Sequence, residues 1–129
     1  MKKILIFILS VLWISPTAHA KDLTVNKQAG EYLVKIIIDK NPPILGENNI
    51  EIKIIDAAGT YKKDPRVMIN YYMPPMPRMA PMNYKKDAKL KGEKYVATLN
   101  FIMSGPWIIR ILIFLQGKRM TVKFNIDVQ

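Results

Sequence analysis

Two-residue alternation of apolar and polar side chains runs through most of this chain and restricts it to β structure. The last segment, residues 120–128, is the most regular, with an apolar side chain at every even position. Successive side chains of a strand point to opposite faces, so the pattern predicts a half-buried strand. Residues 31–39, 49–55, 67–71 and 95–101 alternate in the same way. Beyond the N-terminal segment, no window of about 11 residues or more has helical spacing of its apolar side chains.

These segments together predict a single sandwich of antiparallel strands. Proline and glycine breaks, such as those at residues 41–43 and 104–106, separate short strands that recur roughly every 10 residues. Residues 107–115 are apolar except at Arg110, which predicts a central strand covered on both faces. About seven strands in about 100 residues are typical of an all-β, immunoglobulin-like antiparallel β-sandwich. We place the Trp107 ring in its core rather than in a ligand site.

The N-terminal segment has the features of a secretory signal peptide. Lys2 and Lys3 precede an apolar run at residues 4–14, and Ala20 ends a small-residue cleavage motif. The run is shorter than the roughly 20 residues that cross a bilayer. We therefore predict a signal peptide at residues 1–20, cleavage after Ala20, and a periplasmic or secreted domain at residues 21–129. The alternative is a domain anchored by an uncleaved N-terminal segment.

The composition of the exported part excludes most catalytic chemistry. The chain has no cysteine, and its single histidine, His19, lies within the predicted signal peptide. Zinc sites built from Cys or His, nucleophile–histidine triads and disulfides are therefore excluded. The acidic side chains are scattered singly, without a pair spaced for acid–base catalysis. We predict a protein that is not an enzyme.

A strong positive charge points to anionic partners at the cell envelope. The formal net charge is +10, and export separates the protein from nucleic acid. Lys85 and Lys86 begin a basic cluster that continues through Lys89, Lys91 and Lys94. The cluster predicts peripheral contact with a membrane or with an acidic protein, and a solvated strand face is the alternative interpretation.

Four methionines recur at three-residue intervals in a proline-rich segment, MPPMPRMAPM, as Met73, Met76, Met79 and Met82. Proline favours the polyproline II helix, on which such residues share one side at intervals of roughly 9 Å. Soft thioethers select Cu(I) among biological metals. Two sulfur ligands of one ion lie about 4 Å apart, given metal–sulfur distances near 2.3 Å. A turn at residues 77–80, or a contribution from Met103, is needed to bring them together.

Two other interpretations of the methionines stay open. They fill an irregular gap at the open end of the sandwich, or they form an adaptable docking surface for another protein. Tyr71 and Tyr72 lie on opposite faces at the entrance to this segment. We therefore expect one of them in the core and the other beside the methionines.

Several short motifs occur in a fixed order between residues 30 and 128. A strand ends in Met-Pro-Pro-Met at Met73, Gly-Glu-Lys-Tyr follows at Gly92, and Met-Ser-Gly-Pro-Trp follows at Met103. In this order the motifs resemble the YtkA-like domain family, which is related to the FixH proteins. The resemblance implies an exported or membrane-anchored β-sandwich without enzymatic activity, often encoded among genes for copper handling and cytochrome oxidase assembly. By this resemblance, the methionine segment and the strand start at Gly105 and Trp107 correspond to features of the family.

The sequence supports two functional hypotheses. In the first, an exported module binds or hands on Cu(I) through Met76, Met79 and Met82, assisted by Met73 or Met103. In the second, a protein-interaction module acts in envelope or respiratory oxidase assembly. The same segment and its basic flank then dock on an envelope or membrane protein without metal.

Overall fold

The computed structural model describes residues 22–129, and the predicted signal peptide and cleavage site lie outside the described residues. Nine strands form within this range. Between Asp22 and the C-terminus, no helix has the length and apolar character needed to cross a bilayer. The strands are β1 (Leu23–Ala29), β2 (Tyr32–Ile38), β3 (Gly46–Ile55), β4 (Arg66–Tyr72), β5 (Asn83–Asp87), β6 (Lys89–Lys91), β7 (Lys94–Phe101), β8 (Gly105–Leu115) and β9 (Lys118–Val128).

The strands form two antiparallel sheets, which confirms the predicted all-β sandwich. The first sheet has the order β1-β2-β3-β7-β6, and the second has the order β5-β4-β8-β9. The strand number differs from the prediction of about seven. β1 has an irregular pattern of burial because it is an edge strand, and the basic residues after the methionines form two short exposed strands, β5 and β6.

The core lies between the sheets and consists of the inward side chains of the longer strands. Trp107 and Phe101 are its largest fully buried side chains, and isoleucines fill much of the remaining space. Strand β8 lies between β4 and β9, so its central position is as predicted. The prediction that both faces of β8 are covered was wrong. Its inward side chains are fully buried, whereas Ile108, Arg110 and Phe114 on the outer face are half-buried because no further layer packs there.

Three connections lie at one end of the sandwich, which we call the methionine end. They are residues 39–45, 73–82 and 102–104. The antiparallel register places them together, since Gly46 at the start of β3 pairs with Phe101 at the end of β7. Strand β8 begins directly after residues 102–104, and its partner β4 runs in the opposite direction into residues 73–82. The turn after β3 and the β8–β9 hairpin lie at the opposite end.

A buried asparagine shapes one of these connections. The Asn48 side chain is fully buried and accepts a hydrogen bond from the Ile44 backbone N–H at 3.0 Å. Its amide group donates to the carbonyl oxygens of Ile44 at 2.7 Å and Gly46 at 3.1 Å. Because the side chain satisfies these backbone groups away from solvent, residues 44–46 keep a defined conformation without regular pairing.

Candidate metal-binding loop

Residues 73–82, the methionine loop, fold back on themselves through a tight turn. The Met79 N–H donates to the Met76 carbonyl oxygen at 3.3 Å. Pro77 occupies the second position of this turn, and Arg78 in the third has φ of 67°. Proline followed by a residue with positive φ defines a type II turn. The turn that the sequence required at residues 77–80 therefore forms, one residue earlier, at residues 76–79.

A second backbone bond closes the base of the loop. The Met73 N–H donates to the Met82 carbonyl oxygen at 3.2 Å, just beyond the pair Tyr72–Asn83 that ends the β4–β5 ladder. The loop is therefore a closed extension of a hairpin rather than a straight polyproline helix. The spacing of roughly 9 Å between neighbouring methionines belongs only to the straight form.

The folded loop brings its four methionines to one pocket of about 230 Å³. The remaining lining consists of prolines, Ala80, Tyr72 and Asn83. Across residues 22–129 no cluster of three or more His, Cys, Asp or Glu side chains is present. Thioethers are therefore the characteristic donors of this pocket, and a soft monovalent ion fits such a donor set.

The four methionines differ in their access to solvent. Met73 is buried, with 6% of its surface exposed, and Met82 is half-buried against the core. Met76 and Met79 are 36% and 39% exposed. The pocket therefore has a mouth formed by Met76 and Met79 and a floor formed by Met73 and Met82.

Gly105, at the start of β8, sets the position of the pocket floor. Its φ of 121° lies in a region that L side chains rarely adopt. A Cβ atom at this position would lie 3.2 Å from the methyl carbon of Met73. The glycine therefore permits both the backbone conformation and the close approach of the Met73 side chain.

Met103 and Trp107 belong to the support of the loop rather than to the pocket lining. Met103 is partly buried against the core, and its carbonyl oxygen accepts a hydrogen bond from Trp107 Nε1 at 2.9 Å. The fully buried Trp107 ring lies 5.2 Å from that of Phe101 and 6.0 Å from that of Tyr71, measured between centroids. This aromatic cluster lies directly beneath the methionine end.

The two tyrosines at the entrance of the loop face in opposite directions. Tyr71 is buried and its ring lies 5.4 Å from that of Tyr84, whereas Tyr72 is half-buried and lines the pocket. Burial raises the pKa of the Tyr71 hydroxyl. The nearby Asn100 backbone lowers this pKa and so acts against the effect of burial. Tyr71 is therefore a structural residue and Tyr72 a candidate contact for a ligand.

The basic cluster lines a different part of the surface. Lys85 and Lys86 lie on the exposed edge strand β5, and Lys86 lines a groove of about 530 Å³ with Lys89, Lys91 and Lys94. Lys94 Nζ is 2.8 Å from a carboxylate oxygen of Glu51, so one of these charges is paired. The groove shares no lining residue with the methionine pocket. The cluster flanks the pocket and supplies none of its walls.

Two residues at the loop, Gly105 and Asn83, have roles there that the sequence does not predict. Gly105 is visible in the sequence only as a strand start, since its contact with Met73 depends on the pairing of β4 with β8 in one sheet. Asn83 lines the pocket at the base of the loop, and its side-chain oxygen accepts a hydrogen bond from the Asn70 amide. An asparagine at the end of a strand does not reveal in the sequence that it lines a pocket.

The fold and the loop define a small all-β domain that presents a methionine pocket at one end. A sequence model of the YtkA-like family matches residues 17–112, and the chain belongs to this family. This confirms the resemblance noted above, while the relation to FixH proteins stays a prediction. No curated protein matches the chain in sequence.

A similar fold occurs in the soluble domain of PmoD from Methylocystis sp. (Rockwell), known from its crystal structure. The TM-score is 0.58 at 14% sequence identity, and the match covers 83% of this chain and 98% of that chain. At this identity the likeness shows a shared fold and nothing more about the site.

Proposed function

We propose that this protein is an exported, non-enzymatic module that binds Cu(I) as cargo in the methionine pocket. The observation that carries the proposal is the convergence of Met73, Met76, Met79 and Met82 on one pocket. Four soft donors that are spread along a straight segment would not meet on one ion, whereas in the closed loop all four residues line the same pocket. Met103 does not line this pocket, so Met73 is the better fourth donor.

The chemistry of the donors suits exchange of a soft ion outside the cytoplasm. Thioethers carry no proton to lose, so binding is independent of pH over the range in which the ion itself is stable. They are also neutral, so the bound ion keeps its positive charge and is held less tightly than by thiolates. Exposed Met76 and Met79 would meet the ion first, and the deeper Met82 and Met73 would complete its coordination.

A metal-free docking function is the second candidate, and the exposure of Met76 and Met79 favours it. Prolines stiffen the loop, so little conformational entropy is lost when a partner covers it. Methionine adapts to irregular apolar surfaces. In this alternative an envelope or membrane protein, for example in respiratory oxidase assembly, packs directly on the mouth of the pocket.

The two candidates differ in their requirement for sulfur. We would titrate residues 21–129 with Cu(I) under anaerobic conditions against a chromogenic chelator of known affinity. The variant has Met73, Met76, Met79 and Met82 replaced by leucine. A matched control replaces Met68, on the outer face of β4.

We expect saturable binding in the wild type and in Met68→Leu, and its loss in the fourfold variant, because leucine keeps the volume but removes the donor. Equal binding in all three proteins, or no competition by the wild type, would contradict the copper proposal. Retained binding of an envelope partner by the fourfold variant would then support docking.

A further inference from the structure

Exposed apolar side chains are concentrated at the methionine end. Five of them lie there, namely Ile44, Leu45, Met76, Met79 and Ile102, and their exposed fractions range from 36% to 57%. We call these five side chains the apolar rim. The other two large apolar side chains that are exposed within the described range lie on strands β2 and β6. The uneven distribution indicates that this end meets something other than water.

Two of the connections that carry the rim, residues 39–45 and 102–104, are held by pairing with neighbouring backbone. The Leu45 N–H donates to the Gln129 carbonyl oxygen at 3.2 Å, and the Gln129 N–H donates to the Pro43 carbonyl oxygen at 2.9 Å. Ile102 directly follows Phe101, which pairs with Gly46 next to Leu45. Leu45 and Ile102 are therefore held close to one another by backbone pairing.

The chain enters the domain at this same end. Strand β1 begins at Leu23, which pairs with Ile38, the last residue before the connection at residues 39–45. Leu23 therefore lies at the methionine end, and the apolar run at residues 4–14 precedes it in the sequence. The eight residues between this run and Leu23 reach at most about 30 Å when fully extended. If that run is held in a bilayer, this connection keeps the start of β1, at the methionine end, within about 30 Å of it.

We propose that the methionine end contacts the surface of a lipid bilayer through the apolar rim. A protein partner would also account for the exposed side chains. We choose the bilayer because, where the N-terminal segment stays uncleaved as an anchor, it is joined to the domain at this same end. Arg78, exposed at the tip of the methionine loop, places a cation where anionic headgroups would lie. This contact does not require a bound metal, so it goes beyond copper binding.

The absence of cysteine from the chain provides a direct test. The full-length variants Leu45→Cys and Ile102→Cys are each labelled with an environment-sensitive fluorophore. A third variant, Ala57→Cys, carries the same label at an exposed position in the turn after β3 and reports on the opposite end. The protein is mixed with vesicles of phosphatidylethanolamine and phosphatidylglycerol that contain spin-labelled lipid. We expect a blue shift and strong quenching at positions 45 and 102, and neither at position 57.

A second measurement separates the rim from the N-terminal segment. Residues 22–129 contain both sheets and the hydrophobic cluster between them, so we expect the chain without residues 1–20 to fold on its own. We expect Leu45→Ser and Ile102→Ser each to weaken vesicle flotation of this form by roughly fivefold. Leu90→Ser, which alters a side chain of similar exposure on β6, should leave it unchanged.

Either of two results would overturn the proposal. The first is quenching at position 57 equal to that at positions 45 and 102. The second is probes at the methionine end that stay in water in the presence of vesicles, which would leave the rim as a surface for a protein. Urea unfolding followed by tryptophan fluorescence would verify that each variant is folded. Because these measurements contain no copper, their failure would leave the copper proposal untouched.

Discussion

Replacing Gly105 with alanine tests whether the backbone at the start of β8 sets the floor of the methionine pocket. The φ of 121° at Gly105 is strained for any residue with a Cβ, and such strain costs about 1–3 kcal/mol. The new methyl group would also lie 3.2 Å from the Met73 methyl carbon. That carbon ends a flexible side chain, so a shift of a few tenths of an ångström would relieve the contact. We therefore expect a loss of about 2 kcal/mol in the free energy of unfolding, mostly from the backbone.

Urea unfolding of residues 21–129, followed by fluorescence, measures this loss. Trp107 is the single tryptophan of that form and lies in the core. A loss of about 2 kcal/mol also lowers the melting temperature of a domain of this size by roughly 10 °C. The same substitution in a Met73→Ala background removes the contact but keeps the strain. We expect the two effects to be additive within about 0.5 kcal/mol.

Two results would refute this reasoning. An unchanged unfolding midpoint in Gly105→Ala would show that the backbone there does not require glycine. A loss that disappears in the Met73→Ala background would assign the whole effect to the side-chain contact.

The remaining predictions concern a buried amide, the turn of the methionine loop and a buried phenol. Asn48→Ala should lower the free energy of unfolding by about 2–3 kcal/mol in urea titrations, because three hydrogen bonds to residues 44–46 are lost in a buried site. Arg78→Asn keeps a residue that tolerates positive φ and removes a cation, so Cu(I) affinity should rise about twofold at low salt, with no difference at high salt. Burial raises the pKa of Tyr71 above its ordinary value of 10.0, so its stabilising effect is complete below that pH and is lost as the pH rises through the raised pKa. The urea midpoint should therefore fall more steeply above pH 10 in the wild type than in Tyr71→Phe, and parallel curves would exclude this role of Tyr71.

The regular strands could be predicted from the sequence because burial on one face leaves a period of two. Residues 120–128 show this period throughout, and they form most of β9 with alternating burial. β1 was missed because it is an edge strand whose side chains are largely exposed, and its backbone pairing with β2 leaves no apolar pattern. The outer face of β8 was misjudged for the related reason that an apolar side chain does not reveal whether another layer covers it.

The methionine loop could be located from the sequence, but its shape could not. The three-residue spacing and the prolines identified the four thioethers, and they also favoured a straight segment. The observed turn places Arg78 at a φ of 67°, a position where glycine or asparagine is expected. The backbone bond between Met73 and Met82, together with the β4–β5 ladder, closes the loop around this turn. Such closure depends on pairing across the whole hairpin, which no local pattern encodes.

The measurement that tests the central claim most directly is methyl NMR of the protein labelled with ¹³C in its methionine methyl groups. The chain supplies its own controls, because Met68 lies on the outer face of β4 and Met120 lies beside Gly30 at the opposite end. On anaerobic addition of one equivalent of Cu(I), we predict shifts of the Met73, Met76, Met79 and Met82 signals together, with Met68 and Met120 unchanged. Shifts spread over all methionines, or none at the loop, would contradict a copper site in the methionine pocket.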